Sequence, residues 1–349
     1  MSTSTSAVAG ASREITPPPA QPPTPPAGNE KFQFVDQIVQ WIEQIDEGTH
    51  SHKEAWTQFQ FVEGEFDELQ RRLESSESWG FYQDKIRDEY DTQTREYAVR
   101  RPTNIGESFI RRLDTELYRW RSDLCTHAAS ETVQKFASAI IDIGHATITL
   151  RDGTYFSPDI QCARKGDRIP SIIIEVAYKQ PPKNLEKMAV KYLLRSNESV
   201  QVVVGIDLKD EATRTATISV WRRQLIDDEL VVTAELKDQE IRDNTGSPTA
   251  NEPLRIRLRD FAKDETCDIE LGSEDAEFVM TMAQLCEMLN KVEEVEAQLR
   301  ALQEAKEPMP RMEIRGYIVN GMRLSREEYL AREERLYGPQ GEYSNAGNC

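Results

Sequence analysis

Apolar residues recur along the chain in two rhythms. Over residues 31–46 (KFQFVDQIVQWIEQID), Val35, Ile38, Val39, Trp41, Ile42 and Ile45 return every three or four positions, the spacing of one helix face. Two further amphipathic stretches, about 53–74 and 81–98, carry Trp56, Phe59, Phe66, Trp79, Phe81 and Tyr90 as candidate core, so a helical region is expected over 30–104. Residues 106–139 continue the helical pattern, with Phe109, Leu113, Leu117, Trp120 and Leu124 on one face. The period then falls to two. HATITL (145–150) and TATISVWRR (215–223) alternate, whereas SIIIEVAY (171–178) and VQVVVGIDL (200–208) are nearly unbroken apolar runs flanking a helical segment, NLEKMAVKYLLR. Apolar runs around a crossover helix predict strands buried on both faces of a mixed or parallel sheet. LVVTAEL (230–236) and PLRIRLRDF (253–261) are expected to extend that sheet.

Beyond 275 the helical spacing returns. Phe278, Met282, Leu285, Leu289, Val292, Val295, Leu299 and Leu302 recur every three or four residues among many glutamates, as in a coiled coil or a docked helix over 275–307. The tail 308–349 holds Asn320-Gly321 between two apolar runs, a hairpin signal, and then Ser325 and Glu328 at capping-box spacing. At the other end, seven prolines between positions 16 and 26 preclude helix and central strand, so 1–29 reads as a disordered tail of polyproline II character.

The net charge of −18 argues against non-specific nucleic-acid binding by the surface as a whole. The charge is uneven, however: residues 101–225 are mildly basic and the flanks strongly acidic. Five scattered cysteines without a C-x-x-C fit reduced thiols in an intracellular protein, nuclear or cytoplasmic. No apolar run is long enough to cross a membrane. His50 and His52 fall in a turn, His127 and His145 have no partner at zinc-ligand spacing, and no phosphate loop or nucleophile elbow occurs.

The segment from Ser157 to Arg195 carries the chemistry. Glu175 lies inside the apolar run IIIEV, where a carboxylate is costly unless paired or bound to a cation. Asp159 follows Pro158 on a neighbouring extended piece. Pairing of those two strands would converge two carboxylates at a strand end, an oxygen set suited to Mg²⁺ or Mn²⁺. Lys183, Lys187, Lys191 and Arg195 step by four along the helix that follows, a basic ridge of the kind a phosphodiester backbone requires; the plainer alternative is an ordinary solvated helix face.

Pro158-Asp159, then Glu175 after an isoleucine run, a helix, VVVGID and the SVW strand together resemble the PD-(D/E)XK, restriction-endonuclease-like nuclease superfamily. The resemblance covers about residues 105–262 and is nearest to fungal members whose strand reads E-V-A-Y-S-Q. It implies an α/β fold, a mixed sheet flanked by helices, here carrying an N-terminal helical region and a C-terminal coiled-coil helix. It also implies metal held by Asp159 and Glu175, with Glu131 on an upstream helix as a further acid and Glu116 as its substitute. The lysine usual two residues after the acid is replaced by Ala177. Lys179, Lys183, Lys187 and Lys191 are the candidates to take over its role beside the attacking water, with Gln180 as a polar site residue. The expected activity is Mg²⁺- or Mn²⁺-dependent hydrolysis of phosphodiester bonds, DNA ahead of RNA. The alternative is a catalytically inactive protein of that fold, acting through its coiled coil and acidic arms on a protein partner or a second copy of itself.

Overall fold

The structure is a computed structural model that describes residues 32–49, 56–100, 102–178, 183–209, 213–227, 229–304, 317–319 and 322–337. The Pro-rich tail, His50, His52, Lys179, Gln180 and Cys349 lie outside the described residues. The chain divides into two units, Met1–Glu293 and Glu294–Cys349.

The first unit begins with α1 (Gln33–Asp46), β1 (Trp56–Gln60), α2 (Glu65–Glu74), α3 (Trp79–Lys85), β2 (Arg87–Asp91) and β3 (Glu96–Arg100). The helical region expected over 30–104 therefore needs correction, because three of its segments are strands. β2 and β3 pair antiparallel with Tyr90 opposite Tyr97, and β1 adds to the other side of β3. The β2–β3 turn is made by Asp91, whose carboxylate accepts from the backbone N–H groups of Gln93 and Thr94 at 2.9 and 3.3 Å. Val35, Ile38 and Ile42 of α1 and Leu69 and Leu73 of α2 pack on Phe59, Phe61, Tyr97 and Val99, burying one face of this sheet.

Next comes α4 (Asn104–His127), opened by the Thr103 hydroxyl accepting from Gly106 N–H at 3.2 Å, then α5 (Glu131–Ser138), capped in the same way by Ser130. β4 (Ile140–Asp142), β5 (Ile148–Thr149), β6 (Tyr155–Phe156), β7 (Ile160–Arg164), β8 (Ile172–Tyr178), α6 (Lys183–Arg195), β9 (Val202–Leu208), β10 (Ala216–Ile226) and β11 (Glu229–Arg242) follow. β5 and β6 complete a five-stranded sheet of order β1-β3-β2-β6-β5. The other strands of this run form a six-stranded sheet of order β11-β10-β9-β8-β7-β4, antiparallel except where β8 and β9 run parallel across the α6 crossover. The fold is thus mixed α/β.

β8 and β9 are buried at every position, which is why their sequences read as continuous apolar runs. Ile172, Ile174, Val176, Val202, Val204 and Ile206 face the core that holds α4 and α5. Ile173, Ala177 and Val203 face Leu185, Met188, Tyr192 and Leu193 of α6. Gly205, paired in register with Glu175, leaves room for the Trp221 ring: a Cβ there would stand 2.7 Å from that ring.

β12 (Leu254–Arg257) does not extend the main sheet as expected. After α7 (Asp264–Glu270) the chain returns as β13 (Glu277–Met280), and β12 and β13 form a separate two-stranded ribbon. In α8 (Met282–Glu304), Met282, Leu285, Leu289 and Val292 belong to the first unit's core, so this part is a docked helix. In the second unit α8 continues with Val295, Leu299 and Leu302 at 47%, 49% and 68% exposure. That unit also holds the hairpin β14 (Tyr317–Val319) and β15 (Met322–Leu324), and α9 (Arg326–Tyr337). α9 opens on the capping box read from sequence: Ser325 N–H donates to the Glu328 carboxylate, and Glu328 N–H to the Ser325 hydroxyl.

The apolar repeat of α8 therefore has two energetic halves. Leu285→Ala should destabilise the protein by about 2–5 kcal/mol, the range for emptying a buried leucine site. At a dilution that keeps the chain monomeric, Leu302→Ala should stay within about 0.5 kcal/mol of wild type. Urea unfolding of the two variants separates them, and equal losses would contradict this division.

Candidate functional site

β7 and β8 pair antiparallel with Ile160 opposite Ile174, a register that sets Asp159 beside Glu175. The two carboxylates do converge, as the spacing implies, and both are buried. The Asp159 carboxylate accepts from Val176 N–H at 2.7 Å through Oδ2 and from Arg87 at 2.6 Å through Oδ1. Glu175 accepts from the Tyr192 hydroxyl at 2.7 Å through Oε1 and from Arg100 Nη1 at 2.9 Å through Oε2.

Arg100, at the end of β3, is the centre of this group. Its Nη1 reaches Glu175 and, at 3.4 Å, Asp159; its Nη2 pairs with Glu89 at 3.1 Å and donates to the Ser157 carbonyl. Its guanidinium carbon lies 5.9 Å from the centre of the Trp56 ring. Three carboxylates from β2, the start of β7 and β8 thus surround one guanidinium. Arg87 extends the cluster to Glu107 on α4 at 2.9 Å.

Burial is the largest influence on the acids, raising Glu175 to about 8 and Glu89 to about 7; Arg100 opposes it, and the neighbouring carboxylates reinforce it. Arg100 is driven the other way: burial disfavours its charge, but Glu175, Asp159 and Glu89 outweigh burial and hold the guanidinium protonated.

The described cations of the α6 ridge are matched by acids. Lys187 pairs with Glu96, Lys191 with Asp91 at 2.5 Å and Glu96 at 3.1 Å, and Arg195 with Asp91 at 2.9 Å and with Asp152. These acids lie on β2, β3 and the turn before β6. For Asp91, hydrogen bonds from Lys191 and Arg195 overcome burial and lower its proton affinity. Of the sequence candidates, Lys187 and Lys191 border the cluster with their charge already matched, and the side chain of Lys183 lies outside the described residues. The slot left by the missing lysine is filled: Ala177 is buried against α6. Glu131 sits exposed in the first turn of α5 and takes no part in the cluster, and Glu116 pairs with Arg119 on the surface. The upstream-helix acid that does reach the group is Glu107.

Arg87, Glu89, Arg100, Glu107 and Tyr192 are the members that sequence reading missed as site residues. Tyr192 had a signal, since it falls on the sheet-facing side of α6 one turn after Met188. Arg87, Glu89 and Arg100 come from a region whose strands were read as helix, and Glu107 lies on α4 with no pattern to single it out. No family model matches the chain, and no curated protein shows significant similarity to it.

A divalent cation does not fit this donor set. Every oxygen of Asp159 and Glu175 already accepts from a protein donor, and a positive group stands between the two side chains. Hard cations need several such oxygens free and directed at one point. Among the described residues, no group of three or more His, Cys, Asp or Glu is arranged to hold a metal ion.

Among the described residues Arg100 is the one cation paired with Glu89 and Glu175, so Arg100→Ala should cost about 3–5 kcal/mol, the range for removing one partner of a buried ion pair. Because Glu89 and Glu175 bind protons more tightly in the folded chain than at their ordinary value of 4.5, their contribution to stability is full below 4.5 and is lost as pH rises through 7 and 8. Glu175→Gln should flatten that decline. Denaturant midpoints measured from pH 5 to 9 test both effects, and a wild-type stability that rises across pH 6–8 would refute the assignment.

Proposed function

We propose that this chain is a binding protein on a PD-(D/E)XK-like scaffold, in which the two acids that resemble metal ligands serve as anchors for Arg100. One observation carries the reading: the Arg100 guanidinium lies between Asp159 and Glu175, within 3.4 Å and 2.9 Å of them. The cationic charge that such a pair of carboxylates demands is supplied from β3, a strand of the other sheet. The carboxylates then hold the two sheets together.

The state of the α6 ridge supports the same view. Lys187, Lys191 and Arg195 are matched by Glu96, Asp91 and Asp152, so little of their charge is left for a phosphodiester backbone. The exposed stripe Val295, Leu299 and Leu302 has the four-then-three spacing of a coiled-coil seam, and a second copy of the same helix is the partner that spacing fits. Four cysteines, Cys125, Cys162, Cys267 and Cys286, are free, in keeping with a reducing, intracellular setting. Among the described residues no helix is long and apolar enough to cross a membrane.

Two measurements test the proposal. Wild type incubated with Mg²⁺ or Mn²⁺ and either DNA or RNA should give no cleavage beyond that of an Asp159→Ala control. Metal-dependent cleavage that the substitution abolishes would restore the nuclease reading. In light scattering, the full chain should show a concentration-dependent dimer that Leu299→Glu weakens by about tenfold or more; a strict monomer at all concentrations would remove the self-association part.

A further inference from the structure

A second feature lies apart from the Arg100 cluster and independent of its reading. A cavity of about 860 Å³ opens between the turn after β5, the β7–β8 loop, the end of α6 and α7. Its wall carries Arg151, Arg164, Lys165, Arg168, Arg195 and Lys263, six cationic side chains, against two carboxylates, Asp167 and Glu270. That balance is opposite in sign to a chain of net charge −18. In a concave, partly shielded site, like charges add their fields and attract counter-charge far more strongly than on a flat surface.

The cations differ in how they are held. Arg164 is fixed by a two-pronged pair with Glu270 at 2.9 and 2.7 Å, and its guanidinium carbon lies 4.4 Å from the centre of the Phe136 ring. Arg195 is fixed by Asp91 and Asp152. Even so, Nη1 of Arg164 and Nε of Arg195 are buried donors that meet no acceptor among the described residues. Both atoms are covered by protein and lie out of reach of a molecule in the cavity, which leaves the exposed cations to meet it. Arg151, Lys165 and Arg168 are exposed and form no ion pair among the described residues. The remaining wall is rich in hydroxyls, including Thr147, Thr149, Ser199 and Thr266.

We propose that this cavity binds a small molecule bearing two or more linked phosphate groups. The volume lies within the roughly 300–1,000 Å³ of small-molecule sites. The exposed guanidiniums of Arg151 and Arg168 can match phosphate oxygens two at a time, and Lys165 and Lys263 add charge without fixed geometry. Arg151, Lys165, Arg168 and Lys263 line the cavity without an ion pair among the described residues, more charge than a single carboxylate or sulfate would satisfy; a chain of phosphates offers an anionic group to each. Neither Arg87, Arg100, Asp159 nor Glu175 lines the cavity, so loss of binding here leaves the Arg100 cluster unaffected.

The probe is inorganic tripolyphosphate, titrated calorimetrically into the full chain at low salt, with a short DNA duplex as the second arm. Wild type should bind tripolyphosphate at one site. The double variant Lys165→Glu, Arg168→Glu, which alters only exposed side chains, should weaken binding by about tenfold or more. Arg112→Glu, in a different cleft where Arg111, Arg119 and Lys291 are balanced by Glu107, Glu116 and Glu287, should bind as wild type does. Thermal melts verify that all three proteins are folded. Absence of tripolyphosphate binding, or equal binding by the double variant, overturns the proposal. Binding of the duplex but not of tripolyphosphate also overturns it, in favour of a nucleic-acid surface.

Discussion

The arrangement of this protein depends on one buried guanidinium. Arg100 carries its charge from β3 into a space walled by β2, the start of β7 and the middle of β8, and three carboxylates meet it there. Each carboxylate alone would be expensive to bury, and so would the guanidinium. Together they tie a five-stranded sheet to a six-stranded one. The remaining charge contacts follow the same logic. Arg87 reaches back to Asp159 and out to Glu107, while the cations of α6 lie along the acids of β2 and β3. The contact between the sheets combines these charge pairs with an apolar patch in which Ile148 and Phe156 meet Ile173 and Tyr192.

The charged part of that contact decides what the sequence could and could not reveal. β8, α6 and β9 were legible because their apolar positions follow the rules of burial: IIIEV and VVVGI are covered on both faces, and Leu185, Met188 and Tyr192 mark one side of a helix. The convergence of Asp159 and Glu175 was legible for the same reason, as a carboxylate inside an apolar strand. β2 and β3 were not. In RDEYD the residues turned inward include Asp88, Glu89 and Asp91, all buried, so the expected alternation of apolar and polar is absent. Phe66 and Phe81 do lie on helices, and the strand residues Phe59 and Tyr90 fall within the same expected helical stretches. The turn between the strands also lacks a glycine, because Asp91 closes it with its own side chain while Arg95 takes a φ of 55°. The Asp-Thr-Gln-Thr run was the one signal available there.

The basic ridge shows a different limit. Its periodicity was read correctly, but periodicity does not say what lies opposite. Only the fold places Asp91, Glu96 and Asp152 against it. Among the described residues, the cavity cations without a matching acid, Arg151, Lys165, Arg168 and Lys263, come from turns and loops distant in sequence, where no spacing rule collects them.

The spacing of these contacts along the chain bears on the order in which they can form. β8, α6 and β9 are consecutive, so their parallel pair closes a short crossover. Arg100 meets Asp159 and Glu175 only across separations of 59 and 75 residues. Contacts that distant close large loops and tend to form after local ones. The guanidinium thus works as a late latch on a molecule whose central strands have already assembled. Loosening such a latch hastens unfolding and leaves the folding rate almost unchanged, a distinction visible in the two arms of a chevron. What Arg100 governs is how long the native state lasts once it has formed.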